Sequence, residues 1–237
     1  MKKRRSILGC VPVALLLLLF PLSAPRAGEM EEARKAGWEE GTPGRWNSLP
    51  ERTVEAGGDT FRADLVLSPG TGVVWEKRIQ KSLQPGDTLS IEMVSTGTNQ
   101  TSRDYVRYEA HFPLSVTVVF GEESMNLPWK RQTVDFFRDV WHGFTPGGIR
   151  LTFAFGNKAP EGSMYRLEEE ETVFLVGGEA ERGKRISESR NIMEDFRAAY
   201  GRYPKGPVTR ILVSAERPSG EDSAIKGEIR LISPLLR

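Results

Sequence analysis

Four side chains have the types and spacing to hold a ligand: Arg190, Asn191, Asp195 and Trp75. A helix over 187–200 would place Asn191 and Asp195 on one face, four residues apart, with Arg190 about a quarter-turn away. A guanidinium, an amide and a carboxylate so grouped form a polar patch suited to a sugar or an anion. The same trio also suits a clamp, Arg190 and Asp195 tying the helix to neighbouring loops, and buried polar networks that specify a fold favour this second role. Trp75 follows Val73-Val74 and could stack on a sugar ring from a strand.

Other chemistry is sparser. The chain has two histidines, His111 and His142, and their spacing lacks the His-Glu-x-x-His pattern of a zinc helix. No serine sits in a Gly-x-Ser-x-Gly context, although a triad is defined by geometry and not by order. Glu168 to Glu171 is a run of four carboxylates. Like charges in a row belong on a solvated loop or strand edge; the alternative is a divalent-cation site, without an Asp-x-Asp-x-Asp-Gly loop to support it. Trp129 and Trp141 alternate with Val134, Phe137 and Val140 and read as core. No metal site and no cofactor are expected.

The elements that must position these groups are mostly strands. Period-two alternation marks Thr60 to Leu67, Leu89 to Met93 and Ile149 to Phe155. Ser115 to Phe120 and Thr172 to Val176 are short apolar runs, and Arg210 to Ser214 and Ile225 to Ile232 complete the set. Two helices are expected. One runs from Pro128 to Trp141. The other runs from an N-cap at Ser187 to Tyr200 and ends at Gly201, with Ile192, Met193, Phe196, Ala199 and Tyr200 as its apolar stripe. Eight or so strands with two amphipathic helices predict a mainly β chain, an antiparallel sandwich of jelly-roll type over residues 45–237. Residues 28–44, charged and containing Gly and Pro, read as a linker or a short, loosely held helix.

Residues 1–27 have the layout of a bacterial secretory signal peptide: Lys2, Lys3, Arg4 and Arg5, then an apolar core from Ile7 to Phe20, then small and helix-breaking residues. The core is marginal for a membrane span. Its loss removes Cys10, the only cysteine, so disulfides and thiolate chemistry go with it. The leader holds five of the 33 basic residues and no acidic ones, which leaves 28 basic against 32 acidic and a net charge of −4. A mildly acidic body has no electrostatic footprint for nucleic acid. The expected location is periplasmic or secreted, with no membrane span after signal cleavage.

The second half resembles a bacterial family of exported proteins, the domain-of-unknown-function family 3047. The resemblance lies in Phe174-Leu175-Val176-Gly177-Gly178-Glu179, Gly183, the run from Ser187 to Phe196, Tyr200-Gly201-Arg202-Tyr203-Pro204, Ile211-Leu212-Val213 and Gly227-Glu228-Ile229. Looser likeness extends it to roughly Trp46 to Ile232. Two stretches depart from the family pattern. Ala215 to Asp222 stands where the family is rich in Asp and Thr. The segment around Asp104 carries Tyr108, His111 and Pro113, and lacks an Arg just before Val116. The resemblance implies the fold and export, and no reaction.

These features lead to a non-catalytic module that binds a glycan or other envelope component. A hydrolase of envelope polysaccharide or ester, and a subunit of an envelope protein complex, remain open alternatives.

Overall fold

The computed structural model describes residues 27–41, 48–106, 109–121 and 148–237. The expected signal peptide (but for Ala27), the Pro128–Trp141 helix, Tyr108 and His142 lie outside them.

The described chain is a two-sheet β-sandwich. Its strands are β1 (Trp38–Gly41), β2 (Glu51–Gly57), β3 (Thr60–Leu67), β4 (Thr71–Lys81), β5 (Thr88–Ser95), β6 (Ser115–Phe120), β7 (Ile149–Phe155), β8 (Met164–Glu168), β9 (Glu171–Gly177), β10 (Ile186–Asn191), β11 (Val208–Arg217) and β12 (Ile225–Ile232). One sheet has seven strands in the order β1-β4-β11-β6-β7-β9-β8, and the other has five in the order β10-β5-β12-β3-β2. Neighbours pair antiparallel except β7 and β9, which are parallel. This is the jelly-roll-like sandwich that the alternation predicts.

The two sheets bury different patterns. In the five-stranded sheet one face is core and the other solvent, so β5 and β12 alternate strictly; Leu89, Ile91 and Met93 point inward, as do Ile225, Ile229 and Leu231. In the seven-stranded sheet β6 and β7 are buried at every position, on both faces. Between the sheets lies an aromatic spine: Trp38 packs on Phe61 at 4.3 Å between ring centroids, and Phe61 on Trp75 at 5.5 Å. Gly177, the last residue of β9, has no room for a side chain, because a Cβ there would run into Ile186 Cδ1.

Two segments differ from the sequence reading. In residues 28–44 the short helix is present as α1 (Ala27–Lys35), but it is followed by an unexpected strand: β1 pairs with β4 and inserts Trp38 into the core. Three of the four β1 residues are Glu39, Glu40 and Gly41, so the strand carries little apolar signal of its own. The second difference is at Ser187, which does not cap a helix. Residues 186–191 form β10, paired with β5 from Ile186↔Met93 to Asn191↔Thr88, and helix α2 spans only Ile192–Tyr200. Ladder bonds to β5 override a sequence with no strong preference there. The apolar stripe survives on the shorter helix: Ile192 and Phe196 are buried, with Phe120 4.7 Å from Phe196. Gly201, in the left-handed region at φ 72°, ends it as expected.

Candidate functional site

Arg190 and Asn191 are the last residues of β10, and Asp195 sits in the first turns of α2. Asn191 does not share a helix face with Asp195. It is the N-cap, extended at φ −85° and ψ 104°, and its side-chain oxygen accepts from the Glu194 N–H at 3.2 Å. Arg190 reaches across the strand–helix corner. Its Nε and Nη2 donate to the two Asp195 oxygens at 3.0 and 2.7 Å, and Nη1 donates to Glu188 at 3.0 Å. The guanidinium lies 5.3 Å from the Phe153 ring centroid and 5.1 Å from that of Phe174. Burial works against its charge, but the Asp195 and Glu188 carboxylates outweigh this and hold its pKa above the ordinary value. The group has the geometry of a clamp that closes the edge of the sandwich.

Trp75 points inward from β4 and is fully buried. Its indole N–H donates to Glu40 at 2.9 Å, and Glu40 also accepts from Arg52 Nε at 2.6 Å. The ring has no face open to a sugar. In the alternation of β4, Val73, Trp75 and Lys77 fall on the inner side, a parity that Val73-Val74-Trp75 alone left undecided.

The structure gathers a polar network that no single motif announced. Asp104 Oδ2 accepts from the backbone N–H groups of Asn157, Lys158 and Ala159 at 3.0, 2.9 and 3.1 Å, and Oδ1 accepts from Asn157 Nδ2 at 2.6 Å. Asn157 accepts in turn from the Asn99 N–H, and Asn99 donates to the carbonyls of His111 and Glu216. Arg217 donates to Thr98 O and Asn99 Oδ1 and lies 3.3 Å from Glu221. His111 Nδ1 is 3.3 Å from Glu216 Oε2. The two stretches that depart from the family pattern thus meet in one buried knot. Burial pushes Arg217 below its ordinary value. Burial works the other way on Glu221, but the N–H and hydroxyl of Thr101 and the Gln100 N–H overcome it and hold that carboxyl below the usual range.

The outer face of the seven-stranded sheet carries a second polar group. Thr117 on β6 and Thr152 on β7 lie opposite each other, with hydroxyls 2.9 Å apart, and Thr152 donates to Glu171 at 2.8 Å. A hydroxyl has one hydrogen, so Thr117 must donate to Thr152 and the chain is directed toward Glu171. Arg150, two residues before Thr152 and on the same face, lies 3.5 Å from Glu171 and 3.7 Å from Glu168. The run of four carboxylates is therefore split: Glu168 ends β8, Glu171 begins β9, and both converge on one guanidinium. Among the described residues no group of three or more His, Cys, Asp or Glu is arranged to hold a metal ion.

Three tyrosines lie around this row. Tyr165 on β8 is opposite Val173, on the face that bears Thr152. Tyr105 packs against it edge-on, with centroids 4.4 Å apart, and is 56% exposed. On the far side Tyr200 donates to the Arg150 carbonyl at 2.9 Å, and burial pushes its pKa up to about 12.

A family model described as "Protein of unknown function (DUF3047)" matches residues 97–225. The chain belongs to this family. The matched span holds the knot, the outer-face row and the Arg190 clamp. Its two ends also touch: a Cβ on Gly97 would lie 2.6 Å from Ile225 Cγ2. No curated protein sequence matches the chain. Among solved structures, the chain is similar to the catalytic domain of Humicola grisea Cel12A (8% identity, 84% of this chain and 92% of that one, TM-score 0.43). Comparable likeness is found to the endoglucanase cel12A of Rhodothermus marinus (8%, 84% and 93%, 0.40) and to the xyloglucanase domain of NopAA from Sinorhizobium fredii (10%, 83% and 92%, 0.39).

A shallow groove of about 440 Å³ lies on the outer face of the five-stranded sheet, bordered by residues that include Glu51, Asp64, Val94, Lys226 and Glu228. Two of its carboxylates are engaged: Asp64 with Arg62, and Glu228 with Arg185 and Arg62.

Proposed function

We propose that this protein is an exported, non-catalytic β-sandwich that binds a glycan or another envelope component on the outer face of its seven-stranded sheet. The observation that carries this reading is the exposed ring of Tyr105 beside this face, together with the partly exposed carboxylates of Glu168 and Glu171, which the buried Arg150 and Thr152 hold in place on a rigid sheet. Sugars are recognised by such a combination: planar polar groups for the hydroxyls and an aromatic face for the C–H side of the ring. Strands place these groups more firmly than a loop would.

Binding is favoured over hydrolysis because Glu168 and Glu171 both serve as acceptors around Arg150, and Glu171 also takes the Thr152 hydroxyl. They act as one anchored cluster, whereas a glycosidase places two carboxyl groups on either side of a scissile bond. Export rests on the basic and apolar layout of residues 1–27. Among the described residues no helix is long and apolar enough to cross a membrane.

The test is retention of the purified protein on immobilised envelope glycan fractions, with released sugar and acyl groups assayed in parallel. Retention without release is expected. Release of product that stops on Glu171→Gln would overturn the reading in favour of a hydrolase, and failure to bind any fraction would remove the glycan.

A further inference from the structure

The Tyr165 hydroxyl is shut off from solvent and has no hydrogen-bond partner. A buried polar group left unmatched costs about 1–3 kcal/mol, and such groups are rare in folded proteins. A phenylalanine would fill the same space without that penalty. Its neighbours show what the hydroxyl could serve. The Tyr105 ring packs edge-on against the Tyr165 ring, on a turn where both Tyr105 and Val106 are exposed. Asp104, on that turn, is locked in place by four hydrogen bonds, so the turn is fixed while the Tyr105 side chain extends outward.

Resting on the glycan reading above, we infer that Tyr105 and Tyr165 form a subsite for one neutral pyranose ring, with Tyr105 as the stacking face and Tyr165 as a donor held in reserve beneath it. Rotation of the exposed Tyr105 side chain, a fast motion for a surface residue, uncovers the phenol for a ring or hydroxyl oxygen. The charge around the two rings selects a neutral ligand: Asp104 directly precedes Tyr105, and Glu171 lies two residues from Val173, the cross-strand partner of Tyr165, on the same face. Burial is the main reason that the phenol's pKa lies far above the ordinary value, and the negative charge of Asp104 and Glu171 adds to it. The group stays a neutral donor at any physiological pH, and the same carboxylates repel an anionic sugar.

The experiment is calorimetric titration of the intact protein with cellotetraose, chitotetraose and tetragalacturonate, using wild type, Tyr165→Phe, Tyr105→Ala and Tyr105→Phe. A neutral tetrasaccharide is expected to bind and the uronate not. Tyr165→Phe should weaken binding about three- to tenfold, the worth of one hydrogen bond, while raising Tm by about 2–4 °C because the unmatched hydroxyl is gone. Tyr105→Ala should weaken binding and Tyr105→Phe should preserve it. If neutral sugars bind equally well to wild type, Tyr165→Phe and Tyr105→Ala, the subsite is overturned and the wider glycan reading stands. Tighter binding of the uronate overturns the neutral ligand class. If no tetrasaccharide binds wild type, the subsite is overturned, and the glycan fractions then decide the wider reading separately.

Discussion

Arg190 and Asp195 face each other through two parallel hydrogen bonds, 3.0 and 2.7 Å long, across the corner where β10 turns into α2. The pair converts a change of secondary structure into a rigid joint. Lysine keeps the charge but cannot bridge both carboxylate oxygens or lie flat over Phe153 and Phe174. Arg190→Lys is therefore expected to cost about 2 kcal/mol. In a double-mutant cycle with Asp195→Asn the two losses should not add. Additive losses in urea melts would mean that the two side chains are not coupled.

Asp104 satisfies three consecutive backbone N–H groups at 157–159. Removing its carboxylate strands those donors in a buried loop. Asp104→Ala should lose about 3 kcal/mol or more, and tryptic cleavage after Lys158 should accelerate at native conditions. Unchanged cleavage would show that the loop does not depend on Asp104.

Glu221 gives the protein an acid sensitivity of known sign. Its folded pKa lies below the ordinary 4.5 despite burial, through the Thr101 and Gln100 hydrogen bonds. A carboxyl depressed in the folded state adds stability above its unfolded pKa, and that stability fades as pH falls toward the folded value. Wild type should therefore exceed Glu221→Gln in urea midpoint at pH 7, with the gap narrowing below about pH 4.5. A gap that is constant from pH 7 to pH 3 would show that Glu221 is not the linked group.

Trp38 tests whether the N-terminal segment belongs to the core. It is 1% exposed and packs on Phe61. Trp38→Ala should cost about 3–5 kcal/mol and lower Tm by roughly 10 °C. A shift under 2 °C would mean that β1 is dispensable.

How far the sequence could be read depended on how each segment is paired. Ile225–Ile232 and Thr60–Leu67 have the bounds that their alternation predicts, because one face is core and the other water, and that asymmetry is written into the residue types. Ser115–Phe120 was legible for another reason: it is buried on both faces, and four of its six residues, Val116 to Val119, are β-branched strand formers. Asn191 illustrates the limit, since the helical stripe begins right after it. Nothing local distinguishes one more helical turn before Ile192 from a strand, and only pairing with β5 decides.

By itself, then, the sequence determined the mainly β class, the central strands, the apolar stripe and end of α2, and the family. Tertiary structure alone decided that Trp75 faces inward, that the 28–44 segment contributes β1, and that Glu168 and Glu171 share Arg150. It also decided that Asn99, Asp104, His111, Asn157, Glu216 and Arg217 form one network. The physical reason is the reach of the interactions involved. Alternation and capping act over two to four residues and leave a local trace, whereas hydrogen bonds such as Arg217 to Asn99, 118 positions apart, leave none until the sheets bring their ends together.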